Sequence, residues 1–301
     1  MSEVGIWESD KKVRPNRVQA HAGVRCKFVR HPDNRDMSSL HFTPASSPLH
    51  WSILNDELDR WHAAGLTASF WWRDDDAVKN GPRLEKLFAL SEQFDFPLCL
   101  AVIPANLHGS LKQPVKLSSR VCILQHGYAH IDHSTAKEKG ACELGLHRGL
   151  KTILDELKYG RKRLSQVFGD HFMPVVVPPW NRISDQLPPH LSQVGYKGLS
   201  VFGEEATRHA NAVFTVANCH CDPVSWKRGG VFVSTGAALD QLVDRLVVIR
   251  RNATSEVPPT GYVTHHAVMD HAAWDFTEML FGTLRKHPAA EFLTAAEVFS
   301  L

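Results

Sequence analysis

The chain has 301 residues, is 43% hydrophobic, and carries 34 basic against 32 acidic side chains for a net charge of +2. That size buries a large core and suits one big α/β domain or two smaller ones, while the near balance of charge excludes the global field of a nucleic-acid or anionic-membrane binder. No apolar run approaches the roughly 18 residues needed to cross a bilayer, and Met1 to Gln19 is polar, without the apolar stretch of a secretory signal, which points to the cytoplasm.

Residues 1–45 combine many charges, several prolines and no sustained period, and read as an extended or partly disordered arm before a folded region over 46–301. Ile53, Leu54, Leu58 and Trp61 recur at helical spacing, and Gly65 stands where that helix would stop. A strand over about 67–73 ends in Asp74-Asp75-Asp76. Three adjacent like charges repel, so a folded chain keeps them when a cation or a catalytic task offsets the cost.

After Pro82, Leu84, Leu87, Phe88, Ser91 and Phe94 trace an amphipathic helix, and the unbroken apolar run 97–103 suits a strand buried on both faces. The next such run, 121–124, leads into Gln125-His126-Gly127-Tyr128-Ala129-His130. A long helix is predicted over 146–168, with Gly169 as its stop. The run 173–177 breaks at Pro178-Pro179-Trp180-Asn181-Arg182, and shorter strands are predicted at 198–202, 213–217 and 230–234. A helix over 237–251, a strand at 262–264 leading into His265-His266, a helix over about 272–285 and a last strand at 292–293 complete the chain.

The rhythm of apolar strand, polar cluster and amphipathic helix indicates a mostly parallel sheet, and about seven units suit a (β/α) barrel. In such barrels the strand ends converge on one face. Residues 74–76, 126–130, 178–182 and 265–266 each follow a strand directly, so four separated segments are expected to meet in one cleft.

Two imidazoles plus a carboxylate make a three-ligand site with open positions, suited to zinc or another divalent ion. The His126/His130 spacing directs both rings at one ion if the backbone between them turns, and Gly127 eases that turn. With 18 histidines in the chain, about one such pair is expected by chance, so the strand-end position and the carboxylates carry the argument. The six cysteines are scattered and do not form a disulfide framework. In Cys219-His220-Cys221 neighbouring side chains point to opposite faces of an extended chain and no second pair follows, which argues against a zinc site. His133, His147 and His271 read as surface or core residues, and Trp71 and Trp72 as strand packing.

The order of these motifs resembles the polysaccharide deacetylases with the NodB homology domain: Asp75-Asp76 after a first strand, His126-x-x-x-His130 after a third, Pro179-Trp180-Asn181, and a late strand ending at His265. The resemblance covers roughly residues 67–301. It implies a distorted (β/α) barrel with Asp75 as catalytic base, His265 as catalytic acid, and Asp76, His126 and His130 as ligands to a divalent metal, zinc with cobalt or nickel as alternatives. Pro179, Trp180, Asn181 and Arg182 would wall a groove for a small-molecule or oligosaccharide substrate carrying an acetyl group. The third aspartate leaves Asp74-Asp75 open as the working pair, and His265 and His266 are not separated. Ala77-Val78 replace the family's Gly-Pro, Asp222 and Trp226 are loose candidates for a fourth motif, and Val177 stands where the family has an arginine contacting the base, a role open to Arg73 or Arg182. A hydrolase of a non-sugar amide or ester, or a non-catalytic carbohydrate-binding protein on the same fold, are the competing readings.

Overall fold

Long apolar strands with no polar alternation can only be satisfied by burial on both faces, and the chain provides that with one parallel sheet curled between an interior and an outer layer of helices. The chain divides into two units, 1–44 and 45–301. The structure, a computed structural model, describes residues 48–300 apart from 136–139, 205–206, 212 and 254–256, so the arm expected over 1–45 lies outside the described residues.

Nine strands form the sheet: β1 (Ala68–Ala77), β2 (Leu98–Val102), β3 (Val121–His126), β4 (Phe172–Val177), β5 (Gly198–Leu199), β6 (Thr215–Val216), β7 (Cys219–Cys221), β10 (Thr260–Thr264) and β11 (Ala290–Phe292). Their order is β6-β5-β4-β3-β2-β1-β10-β7, with β11 alongside β1, and every pairing is parallel. Phe202, just past β5, pairs with Cys219 at the start of β7, so the two ends of that order meet. With β6 and β7 counted as one interrupted strand, the wall has the seven staves of a distorted (β/α) barrel. Its helices include α1 (Pro48–Ala63), α2 (Pro82–Phe94), α4 (Leu150–Phe168), α6 (Thr235–Arg251) and α7 (His271–Lys286), separated by a short α3 (Lys112–Leu117) and α5 (Pro188–Leu191).

Strand β1 shows how the alternation of an extended chain sorts side chains between layers. Phe70 and Trp72 join the outer core beneath α1, α2, α6 and α7, whereas Trp71 packs inside with Cys99, Leu124, Val177 and Val263. Helix α8 (Ala295–Phe299), started by a capping box at Thr294, plugs the floor, and Phe299 meets Trp71 edge-on at 5.7 Å. Polar chemistry is thereby confined to the opposite end.

Two strand expectations change. Residues 230–234 contribute β9 (Val231–Phe232), which pairs antiparallel with β8 (Val224–Ser225) in a separate hairpin and not in the barrel. Residues 219–221, weighed from sequence only as a metal site, form a barrel strand, because a thiol packs as a small hydrophobe. Cys219 and Cys221 are buried, and burial pushes the Cys219 thiol up to about 12. His220 lies on the other face, where Nδ1 accepts a hydrogen bond from Gly261 N at 3.2 Å and burial lowers its pKa to about 3. No helix among the described residues is long and apolar enough to cross a membrane.

Candidate functional site

Strand β1 runs through the aspartate triplet to Ala77, past the predicted stop at residue 73. Arg73 and Asp75 follow Trp71 inward and Asp74 follows Trp72 outward. The pairing with β2 then slips: Asp74 opposes Leu100 and Ala77 opposes Val102, and Asp76 takes a left-handed φ of 70°. This extra residue is a β-bulge, which re-aims a side chain. It turns Asp76 towards the strand-end face beside Asp75.

Asp76 meets both predicted histidines. Its Oδ1 lies 3.0 Å from His126 Nε2 and 3.2 Å from His130 Nε2, and the three donor atoms lie within 4.8 Å of one another. Burial alone would raise the Asp76 pKa, but hydrogen bonds from the two imidazoles outweigh it and hold the carboxyl well below the usual range. For His126, burial opposes the charged form and the Asp76 hydrogen bond overrides it, raising the pKa. His126 Nδ1 donates to Val177 O at 3.0 Å, which fixes the tautomer and leaves Nε2 free to ligate. One carboxylate and two imidazole nitrogens, one of them oriented through its second nitrogen, fit a divalent cation of the zinc class.

Glu143 sets the loop that carries His130. This buried carboxylate accepts from Tyr128 N at 3.1 Å, Ala129 N at 2.7 Å and His130 N at 3.1 Å. Three successive amides on one anion need a chain that doubles back, supplied by φ 51° at Gly127 and 56° at His130. Sequence reading missed Glu143; a lone acidic residue far along the chain from the histidines carries no local signal.

Asp75 is held by Arg73, whose Nε lies 2.9 Å from Oδ1 and whose Nη2 donates to Oδ2 at 3.0 Å. The same guanidinium donates to Ser200 Oγ at 2.6 Å and to Asn181 Oδ1 at 2.7 Å. Arg73 rather than Arg182 contacts Asp75: the exposed Arg182 donates instead to Ala141 O at 3.2 Å. His265 Nε2 lies 3.8 Å from Asp75 Oδ2 and its Nδ1 3.9 Å from Asp222 Oδ1, with Trp226 edge-on to its ring at 4.7 Å. Burial raises the Asp222 pKa despite the opposing pull of His265. Trp226 Nε1 donates to Asp222 Oδ2 at 3.0 Å.

Asp74 and His266 form a pair of their own. His266 Nδ1 lies 2.5 Å from Asp74 Oδ1, and the other oxygen accepts from His266 N at 3.0 Å and Thr264 Oγ1 at 2.7 Å. Burial disfavours charge on His266, but Asp74 outweighs it and raises the pKa. The alternation that sends Asp75 inward sends Asp74 out to the residue beside His265.

A cleft of about 770 Å³ collects Asp75, Asp76, His126, His130, Trp180, Asn181, Arg182, Asp222, Trp226 and His265. Trp180 stands 4.3 Å from the His130 ring and Trp226 rises on the hairpin side; 37% and 52% of their surfaces are exposed. Pro179, expected to wall the groove, is buried and does not line the cleft.

No family model matches the sequence, and neither does any curated protein. Solved structures do. A protein described as a polysaccharide deacetylase from Mycobacterium smegmatis superposes with a TM-score of 0.54 at 13% identity, over 78% of this chain and 90% of that one. The chain has the polysaccharide deacetylase fold. More distant in shape are the polysaccharide deacetylase Bc1974 from Bacillus cereus (TM-score 0.45, 18% identity, 76% of this chain and 91% of that one) and a family 4 acetyl xylan esterase from Clostridium thermocellum in complex with a cobalt ion (0.44, 12%, 77% and 90%). The fold implied by the motif order is thus met at an identity too low for sequence comparison to detect.

Proposed function

We propose that this protein is a divalent-metal-dependent hydrolase that removes acetyl groups from an N-acetylated, or O-acetylated, sugar. The observation that carries the reading is the convergence of Asp76, His126 and His130 within 4.8 Å of one another, beside Asp75 and His265, in one cleft at the strand ends of this fold.

Asp76, His126 and His130 would hold the metal, zinc with cobalt or nickel as alternatives. Bound there, the ion supplies a Lewis acid for the acetyl carbonyl and lowers the pKa of water. Asp75, oriented by the Arg73 fork, accepts the proton of the attacking water. His265, between Asp75 and Asp222, delivers a proton to the leaving amine or alcohol. Trp180 and Trp226 offer flat amphipathic faces to sugar rings.

The test is acetate release from N-acetylated and O-acetylated oligosaccharides by chelator-stripped protein, with and without zinc, cobalt or nickel. Release that returns only with metal is the expected result. Full release after chelation, or none with any metal, overturns the proposal.

A further inference from the structure

Asn181 sits in a conformation that the chain alone would not choose. Trp180 and Asn181 both have φ 54°, two successive non-glycine residues in the left-handed region, tied by Asn181 N to Pro178 O at 2.9 Å and Arg182 N to Pro179 O at 3.1 Å. Strain of this kind persists only where surrounding contacts impose it, and it clusters at functional sites.

A hydrogen bond from Arg73 orients the Asn181 carboxamide. A guanidinium only donates, so the atom 2.7 Å from Arg73 Nη2 is the Asn181 oxygen, and the NH₂ group has to point away from Arg73. Among the described residues no acceptor meets that NH₂, and it is not sealed from solvent; Asn181 lines the cleft. The same Nη2 donates to Asp75 Oδ2 at 3.0 Å. Asn181 Oδ1 and the Asp75 carboxylate are therefore neighbours on one nitrogen, and the NH₂ group is carried on the same amide carbon in a residue that lines the cleft.

The donors of Arg73, Trp226 and Gln241 are committed. Arg73 is fully buried, with its nitrogens on Asp75, Ser200, Val201 and Asn181. Trp226 Nε1 donates to Asp222 Oδ2 and Gln241 Nε2 to the carbonyls of Asp222 and Ala237. We infer that the Nδ2 amide of Asn181 donates a hydrogen bond to the acyl oxygen of the substrate, with Arg73 aiming both this donor and the Asp75 carboxylate. A fixed donor beside the base acts where negative charge develops on that oxygen, and it needs no reorganisation during the reaction. This inference rests on the hydrolase reading above.

Two substitutions test it on the zinc-loaded full-length chain. Asn181→Asp keeps the shape and an oxygen for Arg73 but loses the NH₂, and Asn181→Gly keeps the left-handed backbone without strain. With N-acetylglucosamine oligomers as probe, kcat for acetate release should fall about 10²-fold in both, with KM and zinc affinity close to wild type. A kcat within a few-fold of wild type in both variants overturns the inference. Wild-type protein that releases no acetate defeats the deacetylase reading instead. Acetohydroxamate affinity then decides for Asn181: a loss of about tenfold in both variants, one hydrogen bond by a typical net value, supports the donor. Equal affinities, or no binding by the wild type, overturn it.

Discussion

Adding one methyl group at Gly127 should separate loop geometry from overall folding. A Cβ there would overlap Glu143 Oε2 and stand 2.6 Å from Pro179 Cδ, in a residue at φ +51°. The proline ring cannot yield easily because Pro179 is buried, so Glu143 has to move. The left-handed conformation alone costs a non-glycine residue about 1–2 kcal/mol. Each amide bond to a carboxylate is worth about 1.5–3 kcal/mol, and displacing Glu143 puts the bonds to Tyr128, Ala129 and His130 at risk, some regained from water at the cleft. The net loss for Gly127→Ala is then about 3–5 kcal/mol, within the roughly 5–15 kcal/mol that holds a domain together.

The fold should survive that loss while His130 drifts from Asp76. Disturbing a group that orients a metal ligand typically costs 10–100-fold in affinity, so zinc titration against a competing chelator should show a loss of at least that order. Gly65→Ala is the control: its φ is +66°, but nothing lies within 4 Å of a Cβ there. It should lose about 1–2 kcal/mol and no zinc affinity. Wild-type zinc affinity in Gly127→Ala, or equal drops in melting temperature for the two variants, would refute the argument.

Three further outcomes follow from the same contacts. His130→Ala should abolish tight zinc binding and turnover together, measured by metal content after dialysis and by acetate release; full activity would contradict its place among the ligands. Arg73→Lys keeps the charge but loses the fork that holds Asp75, Ser200 and Asn181, so stability by denaturant titration should fall by about 3–5 kcal/mol. Turnover should fall with it, but zinc affinity should stay near wild type, because Arg73 touches Asp75 and not Asp76. Glu57 is buried and accepts from Arg250 Nε at 2.6 Å, which ties α1 to α6, and from Arg60 Nη1 at 3.1 Å within α1. Burial would raise its pKa, but the arginine hydrogen bonds prevail and lower it. A carboxyl whose folded pKa lies below its unfolded value stabilises above the unfolded value and loses that contribution as pH falls through the folded one. Glu57→Gln should therefore lower stability by about 1–2 kcal/mol at pH 7, and the gap should close as the pH falls below the ordinary glutamate range and through the lowered folded value.

What the sequence disclosed is what depends on periodicity. Uninterrupted runs such as 97–103 and 121–124 announce strands buried on both faces, and the placement of polar clusters after them announces a converging strand-end face. What it hid depends on contacts between distant segments or on single backbone angles. Strand β1 continues to Ala77 because each of its three carboxylates finds a donor, which no local pattern reveals. Glu143 and Ser200 reach their partners from remote loops. The residues at 198–202 were legible as a strand, but the pairing of Phe202 with Cys219 that closes the barrel was not, because buried cysteines look polar in a chain and behave as apolar in a core.

The choice among three aspartates illustrates the limit. A regular strand would place Asp74 and Asp76 on one face and Asp75 on the other, and both pairings of neighbours looked equal from sequence. The bulge at Asp76 breaks that symmetry. With it, the three like charges are divided among three sets of partners: Asp74 to His266 and Thr264 in the outer layer, Asp75 to Arg73 inside the barrel, and Asp76 to His126 and His130 at the mouth. Repulsion between adjacent carboxylates, which made the triplet conspicuous, is offset because each accepts hydrogen bonds from partners of its own. The same division leaves Asp74 outside the cleft lining, where it holds His266 and through it the end of β10 beside His265. Crowding in sequence thus becomes separation in space, and the one backbone angle that achieves it lies at the residue whose carboxylate faces both histidines.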